Sequence, residues 1–229
     1  MPVVLPPVSV ILEGQGVPTW VQTDDRTLRL AREALSIYEQ LAHPEGMISG
    51  IQPGEFMEVF NGDGRNEIES PVQPIAAAAD DLSLFTVTVG EPVCAEISRL
   101  FRNQEFALAA MLDSTASAGV ELIAQHMEDT ERDRLKGVGK FHASKGIMRF
   151  SPGYCGWHIS AQKKLFEYLG PDAVGMSLNG SFLMQPIKSI SGVLVSGDRD
   201  IFSFDDTFSF CRDCLTHTCR DRMTALNQN

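Results

Sequence analysis

The chain has 229 residues, 43% of them hydrophobic and 21% charged, the balance of a globular protein with one sizeable core. Its net charge of −11 argues against nucleic acid or an anionic bilayer as a partner, since both are bound through basic patches. No apolar run approaches the roughly 20 unbroken residues of a membrane span. The prolines and missing basic leader of MPVVLPPVSVIL speak against a signal peptide, so a cytoplasmic location is expected.

Residues 1–22 are apolar and punctuated by Pro and Gly, and read as an extended arm or edge strand. Thr23 or Asp24 can cap a helix whose apolar face carries Leu28, Ala31, Leu35, Tyr38 and Leu41 at helical spacing. EFMEVF then reads as a short strand leading into Asn61-Gly62-Asp63-Gly64, a hairpin signal. A small Ala-rich helix over 74–80 precedes a strand over Leu82–Val89, and helices follow over 91–103 and 104–128. Gly137–Lys140 breaks the pattern before a strand at Ile147–Phe150. Ser160–Leu169 is a helix stopped by Gly170-Pro171. Met184–Val195 reads as a strand, and Asp198–Asp200 as a turn into Ile201–Phe204. Helices and strands do not alternate regularly, so the expected fold is α+β: one domain with a twisted, largely antiparallel sheet flanked by helices. Within it, residues 1–80 form an arm, helix and hairpin, and 80–229 the core with a C-terminal cysteine cluster.

The densest chemistry is Arg149-Phe150-Ser151-Pro152-Gly153-Tyr154. Arg149 offers a five-donor fork suited to a carboxylate or phosphate. Pro152 stiffens the turn, Gly153 permits positive φ or a close ligand, and Tyr154 adds an aromatic plate with a polar tip. Alone, such a hexapeptide is an ordinary turn leaving a strand.

Cys211-x2-Cys214-x4-Cys219 has metal-ligand spacing and lacks one ligand of a four-coordinate site. Cys155, directly after the turn, or His158 can supply it. Zinc and an iron–sulfur cluster both suit this set, and incidental reduced cysteines on a C-terminal helix are the plain alternative. Cys94 reads as a small buried hydrophobe.

The run 149–154, followed by a polar helix, resembles the activation (reactivation) domain of vitamin B12-dependent methionine synthase. A second block of that family is matched by Asn179-Gly180-Ser181-Phe182-Leu183-Met184-Gln185-Pro186-Ile187-Lys188-Ser189-Ile190-Ser191-Gly192. Leu84–Gly90 and Met111–Glu121 match further, and the likeness is to short, stand-alone members; it covers residues 80 to 220 well and the first 80 poorly.

The resemblance implies that S-adenosylmethionine binds with its carboxylate on Arg149, its adenine on backbone near Ser151, Pro152 and Gly153, and that Tyr154 points towards cobalamin. No catalytic side chain is implied. Cobalamin would ride on a corrinoid protein or a cobalamin-binding methionine synthase subunit, because no D-x-H-x-x-G signature is present. A reductant such as flavodoxin or ferredoxin would serve that partner. A family acid on the long helix falls on Ser117, leaving Asp113 and Glu121 as candidates for the ligand ammonium, against the commoner role of a solvated helix acid. Two rivals stand beside this reading. One is an accessory protein that binds a corrinoid protein or a metal and has lost S-adenosylmethionine; the other is a small redox protein built on the cysteines. A Rossmann-type methyltransferase is disfavoured, since no Gly-rich loop follows a first strand.

Overall fold

The computed structural model describes residues 1–202, 222–224 and 226. The chain forms two compact units. The first comprises Met1–Gly46, Val87–His126 and Asp172–Ile190; the second comprises Met47–Thr86, Met127–Pro171 and Ser191–Asn229.

Among the described residues, the main sheet has four strands: β1 (Glu45–Gly50), β2 (Asp81–Thr88), β3 (Lys145–Phe150) and β6 (Ser189–Asp198), in the order β1-β2-β6-β3. β3 and β6 are antiparallel, in register from Lys145↔Asp198 to Phe150↔Val193. Hydrogen bonds from His43 N to Val89 O and from Ile51 N to Leu82 O give β1 and β2 opposite directions. Those from Asp80 N to Ser196 O and from Val89 N to Lys188 O do the same for β2 and β6. β2 is buried from Leu82 onward, as a central strand must be. The expected α+β class with an antiparallel sheet and flanking helices is what the chain adopts.

In the first unit, Asp24 caps α2 (Asp25–Leu41), its Oδ1 accepting from Arg26 N at 2.9 Å and Thr27 N at 3.0 Å. The expected extended arm is instead partly helical: Val8–Gly14 forms α1 directly after Pro7. Ile11 and Leu12 are both buried, which adjacent residues achieve on a helix but not on opposite faces of an exposed edge strand. Gln15 holds the end of α1 by donating from Nε2 to Ala110 O and Ser114 Oγ of α6 (Phe106–Gly137). By length and composition α6 could cross a bilayer; half of its most apolar stretch is buried within the fold. The unit also contains α5 (Glu91–Arg102), where Cys94 is buried as expected.

In the second unit, EFMEVF is helix rather than strand. It lies in α3 (Pro53–Asn61), because Pro53 opens the first turn and Glu55 Oε2 accepts from Gln52 N at 3.2 Å. Phe56, Val59 and Phe60 repeat at helical spacing and face inward. Asn61-Gly62 is then the helix stop, not a hairpin: Gly62 has φ +48° and lies against Ala161 of α7 (Ala161–Leu169). α7 stands where the sequence puts it, and the small Ala-rich helix expected over 74–80 forms earlier, as α4 (Val72–Ala77).

The single strand expected over Met184–Val195 is broken. Met184–Gln185 is β5, paired with β4 (Ser177–Leu178), and β6 starts only at Ser189. Pro186 has no N–H for the ladder, and the Gln185–Pro186 peptide is cis. Arg199–Phe202 is a 3-10 turn in place of the expected strand start, and residues 203–204 lie outside the described residues.

Candidate ligand-binding turn

Arg149 and Phe150 end β3, and the chain then folds through two successive turns. Tyr154 N donates to Ser151 O at 3.2 Å, Trp157 N to Tyr154 O at 2.9 Å, and Gly153 N to Trp157 O at 2.6 Å. Gly153, Cys155 and Gly156 all have positive φ, at +94°, +52° and +71°. Cys155 is the notable one, since a β-carbon disfavours that region.

The turn is pinned from outside by the loop between α3 and α4. Ser70 Oγ donates to Cys155 O at 2.7 Å, Glu67 N to Gly156 O at 2.9 Å, and His158 N to Asn66 Oδ1 at 2.8 Å. Trp157, fully buried, packs its ring on Phe56 and Phe60 with centroids 5.7 and 5.9 Å apart, and its Nε1 donates to Phe60 O at 3.2 Å. What this frame presents outward is Gly153 and Tyr154, the latter 55% exposed. Pro152 is buried and Ser151 partly so.

Arg149 itself is only 8% exposed. Its Nη1 lies 3.5 Å from Oε2 of Glu128, a buried carboxylate on α6. Glu128 Oε1 in turn stands 3.3 Å from Arg132 Nη2, and Arg132 also binds Asp129. Sequence reasoning missed Glu128, which sits in the charged run HMEDTERDR and looks like one more solvated helix acid. The four-residue interval to Arg132 was the available signal.

Gly192 of the second motif block explains itself here. A β-carbon at Gly192 would overlap the carbonyl oxygen of Phe150 and lie 3.1 Å from Ser151 Oγ. The glycine that ends the S-x-S-G segment lets β6 pass against the start of the turn.

Asp113 and Glu121, the candidates for the ligand ammonium, lie in the first unit. Asp113 Oδ1 is 2.8 Å from Nζ of Lys188, which also donates to Ser117 Oγ at 2.8 Å. Lys188 O accepts from Thr88 Oγ1 at 3.3 Å and Val89 N at 3.1 Å, so the second motif block is tied to the end of β2. Glu121 is exposed on α6. Of the proposed metal ligands, Cys155 is a half-buried thiol in the turn, whereas Cys211, Cys214 and Cys219 lie outside the described residues. Phe202 is fully buried against Gly146, a core role.

The family model for the vitamin B12 dependent methionine synthase activation domain matches residues 70–204, more than half of the chain. Among solved structures, the fold is similar to the MetH reactivation domain bound to AdoHcy. The TM-score is 0.54 at 16% identity, covering 89% of this chain and 74% of that one, a likeness of fold. No curated protein matches. The matched segment holds both motif blocks, the turn after β3 and the glycine that β6 brings against it, and the chain belongs to the activation-domain family of vitamin B12-dependent methionine synthases.

Proposed function

We propose that the chain is an S-adenosylmethionine-binding reactivation component for a corrinoid protein or a cobalamin-binding methionine synthase subunit. The observation that carries the reading is the rigidly pinned turn 151–157 following Arg149 in a chain of this family. Reduced cobalamin on the partner would supply the nucleophile, and S-adenosylmethionine the methyl group. Arg149 would hold the ligand carboxylate, and the Ser151–Gly153 backbone would meet the adenine edge. Tyr154, more than half exposed at the apex, suits a surface turned towards the partner's corrin ring. The protein's contribution is alignment, a proximity task that needs no acid or base. Such a component would work in the cytoplasm beside a reductant such as flavodoxin or ferredoxin.

Calorimetric titration of S-adenosylmethionine into the protein and into Arg149→Lys tests this reading. Lysine keeps a cation beside Glu128 but loses the fork. One-site binding that weakens by about tenfold in the variant, with the melting temperature kept, is the expected result. Absence of binding to the unmodified protein, alone and with a cobalamin-loaded partner, would overturn it.

A second reading, an accessory protein that has lost S-adenosylmethionine, draws on the pairing of both charged candidates: Arg149 with Glu128, and Asp113 with Lys188. The same titration separates the two. We further propose that Cys155 shares a zinc or iron–sulfur site with Cys211, Cys214 and Cys219. Metal and sulfide analysis after anaerobic purification, repeated on Cys155→Ala, tests it; equal metal content in both proteins would remove Cys155 from the site.

A further inference from the structure

We infer that Asn66 and Ser70 are positioning residues for the ligand: they set the affinity for S-adenosylmethionine through the turn 151–157, by holding it in its binding form. The inference rests on the reading that the Ser151–Gly153 backbone meets the adenine edge. Cys155 holds a φ of +52°, a region that a β-carbon disfavours, and Gly153 and Gly156 beside it stand at +94° and +71°. The hydrogen bonds within the turn join Ser151, Gly153, Tyr154 and Trp157 to one another. They shape the turn but do not anchor its far end.

Asn66 supplies that anchor. Its Nδ2 donates to Phe60 O at 2.7 Å, and its Oδ1 accepts from His158 N at 2.8 Å. Phe60 O also accepts from Trp157 Nε1 at 3.2 Å. One carboxamide therefore ties the last turn of α3 to the residue that follows the turn, and the indole one residue earlier closes the ring on the same carbonyl. A helix end leaves carbonyls without intrahelical partners, so Phe60 O can take both donors. The task needs a donor and an acceptor on one short, flat side chain, which asparagine has and ionised aspartate lacks. Ser70 adds a support earlier in the turn, donating to the carbonyl of Cys155, the residue with the strained φ, at 2.7 Å. A turn already held in shape binds without the ordering cost that a loose one incurs.

The test is calorimetry with S-adenosylmethionine on the full chain, well below the melting temperature, using the unmodified protein, Asn66→Ala, Ser70→Ala and Gln15→Ala. Gln15 is the control, because it clamps α1 to α6 through two hydrogen bonds and lies outside the turn. A loss of global stability alone leaves almost every molecule folded at that temperature, and so leaves affinity unchanged. Asn66→Ala should weaken binding about tenfold and Ser70→Ala severalfold. Gln15→Ala should melt earlier and bind as the unmodified protein does. Ser70→Ala decides the matter if Asn66→Ala folds poorly. A folded turn variant that binds as the unmodified protein does overturns the inference, as does an equal loss of affinity in Gln15→Ala. Those outcomes sink the inference alone when the unmodified protein binds S-adenosylmethionine. If it does not bind, the proposed function fails and the inference with it.

Discussion

Gly192 runs so close to Phe150 that a β-carbon there would occupy the space of the Phe150 carbonyl oxygen. Backbone on one strand thus limits the side chain on its neighbour at the point where β3 turns into the Arg149–Tyr154 segment. Gly192→Ala should lower unfolding free energy by about 3 kcal/mol, the upper range for an overpacked position. Gly180→Ala is the control, since nothing lies within 4 Å of the added carbon there. Urea denaturation of both would check it; equal midpoints would show that β6 can move aside.

Tyr38 is fully buried and its hydroxyl has no hydrogen-bond partner among the described residues, while a β-carbon on Gly119 of α6 would overlap that hydroxyl. Tyr38→Phe should therefore stabilise the protein by about 1 kcal/mol, removing a desolvated polar group. Gly119→Ala should destabilise it, and less so when combined with Tyr38→Phe.

Burial pushes the Tyr38 phenol up to about 12. A phenol raised above its unfolded value of about 10 favours the fold below that pH, and the gain is lost as pH climbs towards the folded value. Alkaline denaturation curves should separate for the two proteins between those limits, with Tyr38→Phe the flatter. Coincident curves would mean that Tyr38 reaches solvent.

Glu131 is buried on α6, accepting from Arg134 Nε and Nη2 at 2.7 and 2.8 Å and from Ser83 Oγ at 2.8 Å. The Arg134 hydrogen bonds, more than Ser83, hold its carboxyl below the usual carboxylate range. A lowered folded value means stability that is present at neutral pH and fades as pH falls through the carboxylate range. Glu131→Gln should cost about 1 kcal/mol at pH 7, most of Arg134 being exposed to solvent, and nothing once the acid is protonated. Guanidinium melts at pH 7 and pH 3 would show the difference closing; a constant gap would assign the loss to shape.

Cys155 holds a positive φ inside the turn. Glycine relieves that conformation, so Cys155→Gly should be more stable than Cys155→Ala by about 1 kcal/mol. Thermal melts of the pair would check it. The reverse order would mean that the thiol's surroundings, rather than the backbone, set the preference at this site.

The elements legible in the sequence were those whose signals are local. Asp24 caps α2, Gly170 stops α7, and the run Leu82–Val89 reads as a strand. The misreadings came where two signals compete. EFMEVF reads as a short strand before a hairpin signal, but Pro53, Glu55 and the 56-59-60 spacing favour a helix that packs on Trp157. At the candidate site the contiguous turn was readable, whereas Glu128 was not. Its meeting with Arg149 spans 21 residues and depends on how α6 packs beside β3.

The three hydrogen bonds that pin the turn come from Asn66, Glu67 and Ser70, whereas the segment shared with the family begins at residue 70. Two of the three supports therefore stand upstream of the segment that the family model matches. A shortened chain starting at that boundary would keep every recognisable motif residue and still leave the Gly156 carbonyl and the His158 amide unsupported. The segment that the family model matches and the segment that holds its turn in place are different lengths of polypeptide.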